Sequence, residues 1–242
     1  DLLLDRLGVL HDEPAGLLLD DLRTAGQAYS LLSLIGGGCH RLSEIAGRLG
    51  KPAGSLTRPI SQLIELGYVS REVPFGESDR SSKRTIYRLD DPFLAFHFRF
   101  VQPARSLLAL GRTGPVRDRV QAELAGHVAR VWEALARRSV PFLGLADTEW
   151  GPASRWWRGD GPELDVVAES IDGKRVLVGE AKWSSRGRDA RAELARLRER
   201  ITAVPVLRDR DVVLALWRRE GSSSRVNGAE VVLPKHVLSV LR

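Results

Sequence analysis

Hydrophobic residues recur at helical spacing three times between Asp20 and Gly67. Residues 25–35 are apolar at that spacing and stop at Gly36-Gly37-Gly38. Leu42, Ile45, Ala46 and Leu49 stand at i, i+3, i+4 and i+7, one stripe of a helix. Gly50-Lys51-Pro52 breaks the pattern, and a third stripe carries Ile60, Leu63, Ile64 and Leu66 up to Gly67, the expected C′ glycine. Pro59 would remove a hydrogen bond inside this third helix, so its start is placed near Thr57. Residues 68–73 and 84–89 then read as strands, separated by a stretch rich in Gly, Ser and charge. Three helices, a strand, a charged loop and a strand is the order of a winged helix-turn-helix.

Asp91-Pro92 opens another apolar helix, residues 93–101, with aromatics at 93, 96, 98 and 100. Those rings are expected to pack two domains together rather than to stack bases. Residues 111–115 mark a second break, and residues 116–138 form a long amphipathic helix ended by Ser139-Val140-Pro141. Strand-like segments follow at 155–157, 163–168 and 176–183, then a basic helix near 188–201 and a strand at 212–217. A helix, mixed strands and a crossover helix make an α/β layer architecture. The expected organisation is a tail or linker (1–19), a winged helix-turn-helix (20–91), a helical linker (92–115) and an α/β domain (116–242). No internal repeat is present.

Composition narrows the class. At 242 residues, 43% hydrophobic and 28% charged, the chain suits two modest folded domains. No apolar run approaches the roughly 18–20 residues needed to span a bilayer. Residues 1–9 lack the basic-then-apolar order of a signal peptide. The lone Cys39 excludes an internal disulfide and a multi-cysteine zinc site. A cytoplasmic location is expected. The chain opens on Asp1 rather than Met, so it is expected to be part of something longer. Net charge is +6, and arginine outnumbers lysine 32 to 5, a bias read mainly as GC-rich coding. Basic against acidic residues count 10 to 9 over 20–91 and 23 to 18 over 116–242, so the excess lies mostly in the second half. It permits nucleic-acid binding.

Asp165 interrupts the apolar run Leu164-Asp165-Val166-Val167-Ala168, and Glu180 and Lys182 interrupt residues 176–183. Strand side chains alternate, so Val178, Glu180 and Lys182 share a face. A charge on a central strand costs several kcal/mol unless paired or bound to metal. A turn at Asp172-Gly173 can bring Asp165 beside Glu180, and a hard divalent cation would remove their repulsion. Lys182 can then reach an activated water or a developing phosphate charge. The competing reading is a Glu–Lys pair on an exposed edge strand with Asp165 capping a turn. Two acids, each inside an apolar strand and one hairpin apart, favour the metal site.

Residues 163–168 followed by Val178-Gly179-Glu180-Ala181-Lys182-Trp183 resemble the core of the PD-(D/E)XK nuclease superfamily. That superfamily includes restriction enzymes and archaeal Holliday-junction resolvases. The resemblance implies that Asp165 and Glu180 bind Mg²⁺ or Mn²⁺ and that Lys182 helps activate water. It also implies a further acid from the preceding helix, for which Glu133 is the match. Leu164 stands where the superfamily usually has proline. The front half, from Arg71-Glu72-Val73-Pro74 through residues 87–101, is similar to the C-terminal region of a prokaryotic ATPase family common in archaea. There an AAA-like P-loop domain precedes a winged helix and a nuclease-like domain. No G-x-x-x-x-G-K-[ST] run occurs here, so ATP would be handled only by a domain absent from this chain. Residues 1–19 would be the tail of that ATPase.

Within the winged helix, Ser55, Thr57, Arg58, Ser61 and Gln62 occupy the places from which a recognition helix meets a groove. Arg80, Lys83 and Arg84 lie in or beside the wing. Cys39 and His40 read as turn residues, and Trp156, Trp157 and Trp183 as packing rather than base-stacking rings. The leading expectation is a DNA-binding, Mg²⁺-dependent nuclease module of a larger ATPase. The alternatives are a non-catalytic DNA- or protein-docking module of that ATPase, and a winged-helix regulator. The expected partners are DNA and the ATPase domain, with no membrane; a homo-oligomer is left open.

Overall fold

The computed structural model describes residues 2–21 (side chains to residue 18), 25–78, 82–159, 161–183, 189–221 and 225–241. It divides into two compact units, Asp1–Glu72 with Thr85–Leu124, and Val73–Arg84 with Ala125–Arg242.

In the first unit, α1 (Glu13–Asp21), α2 (Ala25–Gly36), α3 (Leu42–Leu49) and α4 (Ala53–Glu65) precede the antiparallel pair β1 (Val69–Glu72) and β2 (Ile86–Leu89). The apolar stripes meet in one core of Leu31, Leu32, Ile35, Ile45, Leu56 and Leu63. Leu18 of α1 joins it, so residues expected as a tail are built into the unit. The third helix starts at Ala53, not near Thr57, and carries Pro59 inside it. Leu56, fully buried at i−4 from Ile60, rewards the extra turn, while exposed Ser55 leaves the one carbonyl that Pro59 cannot serve open to water. At its other end Gly67 takes φ 76°. The Tyr68 N–H reaches the Leu63 carbonyl at 2.9 Å and the Gly67 N–H the Ile64 carbonyl at 3.0 Å, the paired closure that a left-handed C′ residue allows.

The Asp91 carboxylate accepts from the Leu94 N–H at 2.8 Å and caps α5 (Pro92–Phe96), which runs into a π turn (His97–Val101) and a 3₁₀ turn (Gln102–Ala104). Next come α6 (Arg105–Ala109) and α7 (Thr113–Ser139). The aromatic rings expected to pack two domains together lie inside the first unit instead. Phe98 is in the core above, and Phe96 packs on Leu4, Val101, Ala104, Leu108 and Val116. A segment apolar on several faces must be covered on several faces, and here its own unit does so.

The second unit is a five-stranded mixed sheet with helices on both faces. Its strands are β3 (Ser154–Trp156), β4 (Leu164–Glu169), β5 (Arg175–Lys182), β6 (Asp211–Arg218) and β7 (Glu230–Val232), in that spatial order. β3, β4 and β5 pair antiparallel, while β5, β6 and β7 pair parallel. The parallel step from β5 to β6 needs a crossover, supplied by α8 (Ala190–Thr202). The short β7 and α9 (Pro234–Val240) complete the chain. Trp132 and Ala136 of α7 pack with Val166, Ala168, Leu177, Ala181 and Trp217. Leu194 and Leu197 of α8 pack with Val167, Val176, Val178 and Leu216. β4 and β5 are therefore buried on both faces, which is why their runs are nearly continuous in hydrophobicity. Among the described residues no helix is long and apolar enough to cross a membrane.

Gly179 sets the closest approach in this core. A Cβ there would lie 2.3 Å from the Trp217 ring. The ring is held from two sides, its Nε1 donating to Ser139 Oγ and its carbonyl accepting from Trp132 Nε1, both at 3.3 Å. Gly179→Ala is therefore expected to destabilise the second unit by about 1–3 kcal/mol through forced repacking. Urea unfolding followed by tryptophan fluorescence measures this, and unchanged stability would contradict the packing.

Candidate functional site

The hairpin register decides which charged side chains meet. Val166 is opposite Gly179 and Val167 opposite Val178, so one step further Asp165 stands opposite Glu180. By parity Asp165, Glu180 and Lys182 all project to the α8 side. Both carboxylates are buried, Asp165 9% and Glu180 4% exposed. The Lys182 ammonium lies 3.9 Å from Asp165 Oδ2 and ion-pairs with Glu180 Oε1. The sheet thus gathers two acids and a lysine at one point, and the edge-strand arrangement is not what it builds.

Further groups close around them. The Ala181 N–H donates to Asp165 Oδ2 at 3.0 Å. Arg200 of α8 ion-pairs with Glu180 Oε2 and donates through Nη1 to the Glu163 carbonyl at 3.0 Å. Arg137 of α7 donates to the Asp165 carbonyl at 3.1 Å. Glu133, one turn before Arg137, lies near enough for its charge to act on Asp165. Its helix packs by Trp132 and Ala136 on the opposite face from Glu180 and Lys182. Among the described residues no group of three or more His, Cys, Asp or Glu side chains is placed to hold a metal ion. Arg200 had a sequence signal that went unread: it follows Leu197 by three and Glu193 by seven, on the buried stripe of α8.

The charges shape one another. Burial, then repulsion from Glu180 and Glu133, pushes the Asp165 carboxyl up to about 6, against the pull of Lys182 and the Ala181 N–H. Burial works against the charge on Lys182, but the hydrogen bond and attraction from Glu180, with Asp165 behind, outweigh it and hold the amine above its ordinary value. Lys182 therefore stays an ammonium at neutral pH.

The expected DNA-contact residues fall into two groups. Ser55, Thr57, Arg58 and Ser61 are exposed on α4, with Gln62 half-buried; the Ser55 hydroxyl donates to the Pro52 carbonyl at 2.7 Å. Of the wing, Lys83 is exposed and Arg80 lies outside the described residues. Arg84 is engaged within the second unit, ion-paired with Glu77 and donating to the Trp157 carbonyl at 3.3 Å. In the same loop the Phe75 N–H donates to the Arg155 carbonyl at 2.8 Å, and its ring joins the core beneath α8. The His40 ring bonds the Tyr87 carbonyl at 3.0 Å, tying the turn to β2. Trp156 and Trp157 are buried, and Trp183 packs on Trp132 with centroids 5.7 Å apart.

Residues 97–194 match the family DUF234, described as "Archaea bacterial proteins of unknown function". An uncharacterized protein of Methanocaldococcus jannaschii is 30% identical over 156 residues, 63% of this chain and 35% of that one. The chain spans about a third of that relative's length. An alignment to the SdaI restriction endonuclease covers 86% of this chain and 84% of that one at 17% identity, with a TM-score of 0.27, too slight to bear on the fold.

Asp165 makes a signed prediction. A carboxyl whose folded value is raised from 3.8 to about 6 holds its proton more tightly when folded, so stability falls as pH rises through that window and stays lower above it. His97, lowered to about 4 mainly by burial, has the opposite sign: stability falls as pH drops from 6.5 towards 4. Comparison with Asp165→Asn isolates the first effect. The variant is expected to gain on the wild type by on the order of 1–3 kcal/mol between pH 4 and pH 7, as read from urea unfolding. Parallel curves would show that Asp165 is not strained by its neighbours.

Proposed function

We propose that the second unit is a metal-dependent phosphodiesterase acting on DNA, with Asp165, Glu180 and Lys182 at its centre. The observation that carries this is the convergence of the two buried carboxylates on the Lys182 ammonium. It fits the resemblance of these strands to the PD-(D/E)XK core. Two protein carboxylates, with the remaining positions left to water and substrate phosphate, suit Mg²⁺ or Mn²⁺ better than an ion needing an all-protein cage. The raised value of Asp165 is a second sign of fit, since a divalent cation relieves the repulsion behind it. Bound between Asp165 and Glu180, such an ion would polarise the phosphodiester and lower the pKa of a water.

Lys182, fixed as an ammonium, would orient the attacking water and stabilise charge gathering on the phosphoryl oxygens. The water oxygen bonds phosphorus, one P–O ester bond breaks, and the leaving oxygen takes up a proton. Arg200 holds Glu180 in place from the opposite oxygen. The exposed polar face of α4, with Arg58 at its centre, would contact the duplex, and the basic residues of α8 would meet phosphates. Cooperation with an ATPase domain, expected from the front half, belongs to the same proposal. The match to 35% of a longer relative leaves room for such a domain. A non-catalytic docking role is the second reading. It is favoured by one feature: both Glu180 oxygens are already ion-paired, to Lys182 and Arg200.

Cleavage separates the two. Asp165→Ala and Lys182→Ala are each expected to lower Mg²⁺-dependent cutting of linear or branched DNA by about a hundredfold or more, with folding unchanged by circular dichroism. Mg²⁺ should also raise the melting temperature of the wild type but not of Asp165→Asn. A folded wild type that cuts no substrate with Mg²⁺ or Mn²⁺ and gains no stability from either would put the docking reading ahead.

Binding makes an independent prediction. With roughly four to six phosphate contacts, affinity should fall with salt at about 0.9 logarithmic units per contact. Arg58 and Arg191 are exposed, so Arg58→Glu and Arg191→Glu should each weaken binding to all sequences and flatten that slope by about one. Arg84→Glu should instead destabilise the second unit, because Arg84 is held by Glu77 and the Trp157 carbonyl. A slope near zero would leave the arginines as solvated surface.

A further inference from the structure

A second group of polar side chains lies wholly in the first unit. A cavity of about 350 Å³ is lined by Arg6, His11, Asp12, Arg105, Ser106 and Ala109. A smaller recess of about 20 Å³, wide enough for one water, shares His11, Asp12 and Arg105 with it and adds Tyr29 and His97. His97 is 4% exposed, and among the described residues neither ring nitrogen has a hydrogen-bond partner. A buried imidazole without a partner is costly, and the polar recess beside it is wide enough for a water or a small ligand group to bond it. Burial, then the charges of His11 and Arg105, holds this ring neutral, so it offers one donor and one acceptor.

The guanidinium of Arg105 is preset. It lies 4.0 Å from Asp12 Oδ1 and close enough to Tyr29 for its charge to act on that hydroxyl. His11 is fixed too: its Nδ1 is 2.9 Å from the Leu3 carbonyl, which only accepts, so Nδ1 carries the hydrogen and Nε2 remains for other bonds. Leu4, buried on Val101, Ala104 and Leu108, anchors the segment that brings Arg6 and His11 here. Two guanidinium forks against one carboxylate leave a net positive lining suited to a phosphate, which arginine binds in a bidentate way. The volume falls within the roughly 300–1,000 Å³ of small-molecule sites, more than inorganic phosphate would fill. The Asp12 carboxylate, acceptor only, suits a hydroxyl or amino group on the rest of the ligand.

We propose that this cavity binds a phosphomonoester of nucleoside-monophosphate size, with its phosphate on Arg6 and Arg105 and a hydroxyl or amine on Asp12. Calorimetric titration of the chain with adenosine 5′-monophosphate, adenosine and sodium phosphate, at matched ionic strength, tests it. The monophosphate should bind one to one, with adenosine and phosphate each about tenfold weaker or more, because each forfeits charge-assisted or organic contacts. Arg6→Gln and Arg105→Gln should each weaken the monophosphate by about tenfold or more, and Asp165→Asn should leave it unchanged. If Arg105→Gln does not fold, the exposed Arg6 carries the test. Phosphate binding as tightly as the monophosphate, undiminished binding in Arg6→Gln, or no heat at millimolar monophosphate overturns the proposal.

Discussion

Two carboxylates on neighbouring strands, buried where water screens them poorly, repel each other, and much of the second unit is arranged around that cost. Asp165 and Glu180 face each other across the β4–β5 hairpin under the cover of α8. Each unit of charge left uncompensated there would cost several kcal/mol. The fold answers with Lys182 between them, Arg200 on the far oxygen of Glu180, and the Ala181 N–H on Asp165. Even so the carboxyl of Asp165 remains well above its ordinary range.

The scaffold around this point is stiff. β4 and β5 are covered on both faces, and Gly179 lets the Trp217 ring press against the strand one residue before Glu180. Ser139 and Trp132 of α7 fix that tryptophan, and Arg137 of the same helix grips the backbone at Asp165. α7 thus holds the strands that carry the acids from one face, while α8 supplies Arg200 from the other. Charged groups held this firmly keep their spacing, which preorganised electrostatics requires.

The first unit distributes its chemistry differently. Its core is helical and apolar, and its polar features lie on the α4 surface and around His97. The loop between β1 and β2 gives Phe75 and Arg84 to the second unit. The segment that the sequence suggests as a wing is partly spent on internal contacts.

Periodicity determined much of this architecture before any coordinates. The stripe at Leu42, Ile45, Ala46 and Leu49 gave α3 its bounds, and alternation along β5 put Glu180 and Lys182 on one face, because side-chain direction is a local property of helix and strand. Length and a turn at Gly173 were enough to pair β4 with β5. Three things were not local. α4 runs through Pro59 because the burial of Leu56 outweighs a missing hydrogen bond, and burial is a property of the partner surface. The aromatics of residues 93–101 turn inward because distant segments of their own unit, Leu4 and α2 among them, cover them. Arg200 enters the site, and His97 is buried, only when distant segments close around them. Sequence pattern sets which way a side chain points; tertiary packing alone sets what it meets.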